Sequence, residues 1–438
     1  MKPYFHSVTL DREKCKGCTN CIKRCPTEAI RVRDGKAKII KERCIDCGEC
    51  IRVCPYHAKK ATTDDFDRIF DFKYRIALVA PAMYAQFKDK PDVNAILTGV
   101  KALGFDDVFE VARAAELVTA ATKELMPADA SRPLISSACP AVMRLIRVRF
   151  PDLIPNVVPL LAPIELGAWL AKERAIIATG LNPAEIGVFF ITPCAAKVTS
   201  AYVPIGVESS LVDGCIAMKD MYLRLLPAMK RLTRYENLAT AGLEGIAWAK
   251  NGGEGSALNS ERYIAVDGIW NVIKVLEEVE NGKIDDIVFV EASACVGGCV
   301  GGPLTVENAF VAKTRIQSVL ENTSLAPSPY LWSDEIKNAV KWRKPVEFAP
   351  VMTLDGDMVK AMRKLEHLEA IYEQLPRLDC GSCGAPSCHA LAEDIVRGFA
   401  RETDCVFKLR ERVKHLAMEM VELEGQGFGQ GNKTPKQS

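Results

Sequence analysis

The sequence predicts an α/β body with mostly parallel sheets, a small cysteine-rich α+β module ahead of it and a small, mainly helical module behind it. Three observations carry that expectation. Short apolar runs alternate with helical patterns from about residue 74 to 320, which argues for parallel strands joined by helices. The 17 cysteines of the 438-residue chain fall in groups: eight in the first 54 positions, four just past apolar runs and four near the C-terminus, with Cys215 left over. Finally, Cys15-x2-Cys18-x2-Cys21-x3-Cys25-Pro26 recurs as Cys44-x2-Cys47-x2-Cys50-x3-Cys54-Pro55, an internal repeat.

The totals exclude several classes. The length suits two to four domains. The 57 basic and 56 acidic residues nearly cancel, so no global field attracts nucleic acid or an anionic membrane. No stretch approaches the ~20 uninterrupted apolar residues of a membrane-spanning helix. The opening residues, Met1 to Thr9, lack the charged-then-apolar pattern of a signal peptide, so a cytoplasmic location is expected. In a reducing compartment, grouped cysteines read as metal ligands rather than disulfides. With five histidines, none in a zinc-hydrolase pattern, iron–sulfur is favoured over zinc.

Taken in order, residues 1–58 form the first module. Its repeat is the bacterial two-cluster ferredoxin run, in which the fourth cysteine ligates the other cluster. Cys15, Cys18, Cys21 and Cys54 are therefore assigned to one 4Fe-4S cluster, and Cys44, Cys47, Cys50 and Cys25 to a second. Electron transfer is the expected role. Residues 59–73 are charged and lack the repeat, so a linker is expected there.

The body, residues 74–325, starts with a buried strand from Tyr74 to Pro81. A helix near Val93 to Leu103 and a strand near Asp107 to Val111 follow. Three apolar runs then end in cysteine: Leu134-Ile-Ser-Ser-Ala-Cys139-Pro140, Gly187 to Pro193-Cys194, and Ile287-Val-Phe-Val290 leading to Cys295. In open α/β sheets the carboxyl ends of the strands are where ligands bind. Four thiolates converging there suit a 4Fe-4S cluster; buried core cysteines are the plainer alternative. Cys295 and Cys299 lie about one helical turn apart and can face one object. The glycines at 297, 298, 301 and 302 lack a Cβ, which lets backbone N–H groups approach that object.

These loops carry a resemblance. Cys139-Pro140, Pro193-Cys194-x-x-Lys197 and Cys295-x-Gly-Gly-Cys299-x-x-Gly302, in that order, resemble the three signature loops of the FeFe-hydrogenase catalytic domain. Val79-Ala-Pro-Ala82 and the segment from Asp107 to Leu117 resemble family segments too. The likeness covers roughly residues 74–320, with the ferredoxin module in its usual upstream place. It implies a hydrogenase-type α/β fold acting on H2 and protons. It further implies that Cys139, Cys194, Cys295 and Cys299 hold a 4Fe-4S cluster. Cys299 would also bridge to a di-iron unit carrying CO, cyanide and an amine-bearing dithiolate, installed by maturation proteins. Lys197 would hydrogen-bond a cyanide, a charge-assisted contact stronger than a neutral one. Pro81, Pro193 and Gly298 are the remaining cofactor-binding positions that the resemblance assigns.

The departures matter equally. Ala138 stands where the family has the cysteine that relays protons to the bridging amine, so that catalytic position cannot carry a proton. Thr192 and Ser293 replace methionines, Ser200 replaces the glutamate after the lysine, and Ile164 replaces a glutamine after Pro163. The relay's glutamates are not placed within Ala114 to Leu125. Losing a positioned acid/base typically costs ~10²–10⁴ in rate, so slow turnover is expected. These substitutions resemble the sensory branch of the family.

A charged, proline-punctuated stretch, 326–355, is expected to be a linker. The last module, 356–425, opens with a helical pattern from Asp357 to Gln374. Then comes Cys380-x2-Cys383-x4-Cys388-x16-Cys405, similar to 4Fe-4S modules of anaerobic redox proteins and to the sensory subgroup called group D. That makes four 4Fe-4S clusters besides the di-iron unit. A basic, amphipathic helix from Val406 to Leu423 reads as a partner or homodimer contact, or as packing on its own domain. Residues 426–438 are Gly-rich and polar and read as disordered. The expected function is H2 or redox sensing through slow hydrogenase chemistry, with the redox or signalling partner not visible. The alternative is a hydrogenase-like 4Fe-4S protein without the di-iron unit, serving iron–sulfur assembly or electron transfer.

Overall fold

The computed structural model describes residues 5–89, 91–126, 133–322 and 332–427. Its strands in chain order are β1 (Val8–Leu10), β2 (Ile30–Arg33), β3 (Lys36–Ile39), β4 (Lys59–Ala61), β5 (Tyr74–Val79), β6 (Asp107–Glu110), β7 (Leu134–Ile135), β8 (Ile186–Thr192), β9 (Gly214–Ala217), β10 (Tyr263–Asp267) and β11 (Phe289–Ser293). The chain divides into two compact units, one of residues 1–14 with 41–351 and one of residues 15–40 with 352–438.

The larger unit holds two parallel sheets, in the orders β6-β5-β8-β9 and β10-β11-β7. Every residue of β8 is buried. Its run Ile-Gly-Val-Phe-Phe-Ile-Thr is nearly all apolar, as a strand covered on both faces must be. Gly187 has no side chain because Phe72 lies across it: a Cβ there would sit 2.5 Å from the ring. The expected parallel sheets are thus two: β8 ends on one, β7 and β11 on the other, so the three cysteine loops leave from two sheets.

Both expected linkers are structured. Lys59–Ala61 pairs antiparallel with Val8–Leu10, and Phe66–Asp71 forms a 3-10 turn around the buried Ile69. Beyond residue 331, Ser333 caps a helix, Asp334–Ala339, by accepting from the Ile336 N–H. Ile336, Ala339 and Val340 are buried, and Leu161 N–H donates to the Val340 carbonyl at 2.7 Å. Apolar residues at helical spacing hold this stretch, despite its charge and prolines. The expected linker's first residues, 326–331, lie outside the described residues.

The smaller unit joins two stretches read from the sequence as parts of separate modules. The β2–β3 hairpin turns at Asp34-Gly35, both at positive φ (52° and 68°), the geometry that favours Asp-Gly in two-residue hairpins. Val32 N–H donates to the Gly384 carbonyl at 2.8 Å. Asp394 accepts from Arg31 at 2.6 Å and Arg33 at 2.9 Å. Helices Met358–Gln374 and Cys388–Val396 close over a core of Leu368, Ile371, Leu375 and Leu391. Within this unit the first half of the cysteine repeat packs with the C-terminal cysteines, across the expected boundaries 1–58 and 356–425. The last helix, Val406–Gly427, keeps Phe407, Leu409, Val413, Leu416, Met420 and Leu423 exposed, so that face does not pack on its own domain. Residues 428–438 of the expected tail lie outside the described residues.

Candidate metal centre

Each of the three loops is positioned by what precedes and follows it. β7 delivers Ser136, Ser137, Ala138 and Cys139, and Cys139 is the N-cap of helix Pro140–Arg149 with proline at its first turn. β8 delivers Pro193 and Cys194, and Cys194 is the N-cap of helix Ala195–Tyr202, which carries Lys197 in its first turn. Helix N-termini favour anions, so both sulfurs sit where a thiolate is stabilised. β11 runs into Cys295 and then Cys299.

The glycines of the third loop also make room for neighbouring backbone. Gly297 and Gly298 hold φ of +84° and +83°, a region that L side chains rarely adopt. A Cβ at Gly298 would lie 2.6 Å from the Asn251 nitrogen, and one at Gly302 would overlap the Pro193 carbonyl oxygen. Gly298 thus lets the third loop approach the backbone at Asn251, and Gly302 lets it approach the second loop at Pro193.

Cys139, Cys194, Cys295, Cys299 and Lys197 line a single cavity. Ala138, Pro81, Pro193 and Gly298 line it too. Lys197 Nζ donates to Cys299 Sγ at 3.2 Å. Burial alone would lower the lysine's pKa, but the charges of Cys299, Cys194 and Cys139 outweigh it and hold the ammonium well above its usual range. Burial pushes Cys194 up to about 12 against the pull of Lys197, and raises Cys139 likewise. The sulfurs thus press on one another electrostatically, with one ammonium among them. A buried set of thiols and one cation is a donor set that a metal would deprotonate.

The sequence reading missed two acids. Glu254 and Glu291 are buried and line the same cavity. Ser136 Oγ donates to Glu254 Oε2 at 2.7 Å and accepts from the Ala138 N–H at 3.2 Å. The Gly252 and Gly255 N–H groups each donate to Glu291 at 2.8 Å. Burial, with the charge of Glu291, pushes Glu254 up to about 8, and burial raises Glu291 as well. Within 114–125, Glu116 pairs with Arg113 and Glu124 with Trp332 and Lys337. Neither of those lines the cavity. Asn251-Gly-Gly-Glu-Gly255 reads as a polar loop, and a lone acid among glycines was its only signal.

The other cysteines group by unit. Cys44, Cys47, Cys50 and Cys54 belong to the larger unit, Cys15, Cys18, Cys21 and Cys25 to the smaller. The fourth cysteine of each run accepts a backbone N–H at 3.2 Å, Cys25 from Ala29 and Cys54 from Ala58. The exchange of Cys25 and Cys54 between clusters remains a reading of the motif. His6, Cys44 and Asp46 also approach within 4.8 Å of one another, but the Asp46 oxygens already accept from Val8 N–H and Thr199. In the smaller unit, Cys388 and Cys405 are buried in one apolar cluster with Cys383 against it. Cys380 and Cys405 both act on Cys383 electrostatically, so these thiols are also gathered. Cys215 is buried, its N–H held by Asp64 at 2.7 Å, and it does not line the cavity.

The family model of the iron only hydrogenase large subunit, C-terminal domain, matches residues 73–225 and 216–303. A 4Fe-4S dicluster domain matches residues 7–55, and an Fe-S cluster family matches residues 375–407. The chain is 24% identical over 395 residues to iron hydrogenase 1 of Clostridium pasteurianum, covering 72% of this chain and 69% of that protein. It is 26% identical over 365 residues to the periplasmic Fe hydrogenase large subunit of Nitratidesulfovibrio vulgaris, covering 68% and 86%. A solved structure of a variant FeFe-hydrogenase from Chlamydomonas reinhardtii superposes with a TM-score of 0.50 at 17% identity, covering 66% of this chain and 96% of that one. That last likeness is one of fold.

Proposed function

The chain belongs to the iron-only hydrogenase large-subunit family, and from that membership we propose that it oxidises H2 and reduces protons, slowly, as a sensor of H2 or redox state. The observation that carries this reading is the convergence of four thiols and one buried ammonium on a single cavity. The donor set fits a 4Fe-4S cluster, and a buried ammonium whose bonded partner is a cysteine sulfur rather than a carboxylate fits an anionic, cyanide-bearing neighbour. Cys139, Cys194, Cys295 and Cys299 would hold the cluster, Cys299 would be shared with the di-iron unit, and Lys197 would orient it. When bound, that pair supplies the reactive iron for H2 and a store for its electrons.

The chain's own contribution is binding, orientation and proton handling. Pro81, Pro193 and Ala138 give the cavity an apolar wall, and a dry wall strengthens each charge inside. Ala138 carries no proton. Ser136 and Glu254 reach the same cavity and are hydrogen-bonded to each other. A carboxyl raised to about 8 is protonated at neutral pH and can both donate and accept there. Glu291, held by two backbone N–H groups, is the adjoining site for the proton.

The ferredoxin-type cysteines would carry electrons, and the C-terminal cysteines, like those of group D sensors, would pass or store one for a signalling partner. The chain contains no helix, among the described residues, long and apolar enough to cross a membrane, and the proposal places it in the cytoplasm. The exposed stripe of the last helix suits a partner or a second copy. One observation favours a second reading, a 4Fe-4S protein without di-iron that serves iron–sulfur assembly or electron transfer. Ala138 and Ser293 line the cavity, and the Thr192 hydroxyl is turned to the Cys194 backbone, so family side chains at three positions are absent. Exchange of H2 with D2O by the matured protein tests the choice. HD formation is expected; none, with the four 4Fe-4S clusters in place, rejects the H2 reading.

A further inference from the structure

Lys23 and Arg52 occupy the same place in the internal repeat, two residues past its third cysteine. Each ends a four-residue helix, Asn20–Lys23 and Glu49–Arg52. Nothing in the Cys-x2-Cys-x2-Cys-x3-Cys run needs a cation there, and the plain expectation is a solvated side chain.

Arg52 is not solvated in that way. Its Nη1 pairs with Glu49 at 2.7 Å, and its Nη2 crosses to the Gly301 carbonyl at 2.6 Å. The Cys295 sulfur lies near enough for its charge to act on the same guanidinium. Gly48, just before that helix, lies so close to the third loop that a Cβ would stand 2.6 Å from Pro303. The second half of the repeat is therefore seated on the loop that carries Cys295 and Cys299. In the smaller unit Lys23 makes the corresponding reach. Its Nζ donates to the Pro386 carbonyl at 3.3 Å, and its Cε stands 2.9 Å from where a Cβ of Gly381 would be. It thus crosses the loop between Cys380 and Cys388.

We propose that this repeat position is where each half of the ferredoxin-type module addresses a foreign metal centre: Arg52 is seated on the loop that carries Cys295 and Cys299 of the four-cysteine centre, Lys23 on the loop between Cys380 and Cys388 of the C-terminal centre, and each cation raises the reduction potential of the centre it faces. The inference rests on the reading above that both sites hold 4Fe-4S clusters. Adding an electron makes a cluster more negative, so a neighbouring cation stabilises the reduced form more than the oxidised form. Hydrogen bonds to cluster sulfurs act in the same direction. Arg52 reaches the third loop and Lys23 the loop between Cys380 and Cys388, both from positions open to solvent, so screening reduces each effect.

The test is an EPR redox titration of the full-length, cluster-loaded chain. The signal lost in Cys295→Ala identifies the four-cysteine centre, and the signal lost in Cys380→Ala the C-terminal one. Arg52→Gln is expected to lower the midpoint of the first by about tenfold in its one-electron equilibrium constant, 59 mV, and to leave the second unmoved. Arg52→Lys should recover at least half of that shift. Lys23→Gln should lower only the second. Glu49→Gln, which frees Arg52 of its carboxylate partner, should raise the first and keeps the test open if Arg52→Gln loses its cluster. An unmoved midpoint with the cluster present overturns the inference, and so does an equal shift of both centres from either substitution. A loaded wild-type chain with no Cys295-dependent signal overturns the reading of the four-cysteine site, and the inference with it.

Discussion

Two buried carboxyls next to a wall that carries no proton decide what this cavity does with protons. Glu254→Gln keeps the shape and the bond to Ser136 but removes the titrating group. H2 oxidation should fall by ~10²–10⁴, the usual worth of a positioned acid/base, with iron content unchanged. Ala138→Cys should raise turnover in the parent chain; an unchanged rate there would show that proton delivery does not limit it. The same groups fix a pH dependence of the metal-free fold. Burial raises Glu254 to about 8, Glu165 to about 7 and Glu291 above the usual range, while Asp267 adds its charge to Glu291 and Ser210 pulls Glu165 back. Raised carboxyls bind more protons folded than unfolded, so stability is full below their unfolded pKa, near 4.5, and is lost as pH rises through the folded values. Thermal midpoints of the metal-free chain should drop between about pH 5 and 8, less steeply in Glu254→Gln; a flat profile would contradict the assignment. The grouping of the cysteines was legible because ligand spacing is written locally, whereas Lys197 was named only through the resemblance of its loop. Glu254 was not, since its partner Ser136 is 118 positions away.

At the scale of elements, the three loops work because their strands end together and their glycines let them touch. Gly302→Ala puts a methyl group into the Pro193 carbonyl, an overpacking that typically costs 1–3 kcal/mol and here falls on the cavity wall. The expected outcome is a loss of about six irons per matured chain, four from the cluster and two from the di-iron unit, with the ferredoxin-type EPR signals kept; full iron loading would show that the two loops can separate at no cost. The strands themselves were readable, because β8 is apolar along its whole length and buried strands look like that. Their distribution over two sheets was not. A run of two residues such as Leu134–Ile135 names no neighbour, and parallel pairing is decided by contacts far apart in sequence. The contact of Gly302 with Pro193 was hidden for a similar reason, as that carbonyl belongs to a different loop.

For the whole molecule, the division of the cysteine repeat between two units is what the sequence concealed most completely. Arg31 and Asp394 are 363 positions apart and each side chain is 6% exposed. Local reading therefore drew a boundary at residue 58, where the motif ends and the fold does not. Removing one partner of a buried pair leaves the other charge uncompensated, at a cost of about 3–5 kcal/mol. Asp394→Asn should therefore release residues 352–427 to proteolysis well below the denaturant midpoint of the parent, and identical proteolysis would show that the pair is not what holds that unit. The central claim, that four thiols and Lys197 gather around a di-iron centre, meets its most direct test in infrared spectroscopy of the matured chain. The account predicts bands of iron-bound CO and cyanide that vanish in Cys299→Ala. Their absence from a chain with all its 4Fe-4S clusters loaded would contradict it.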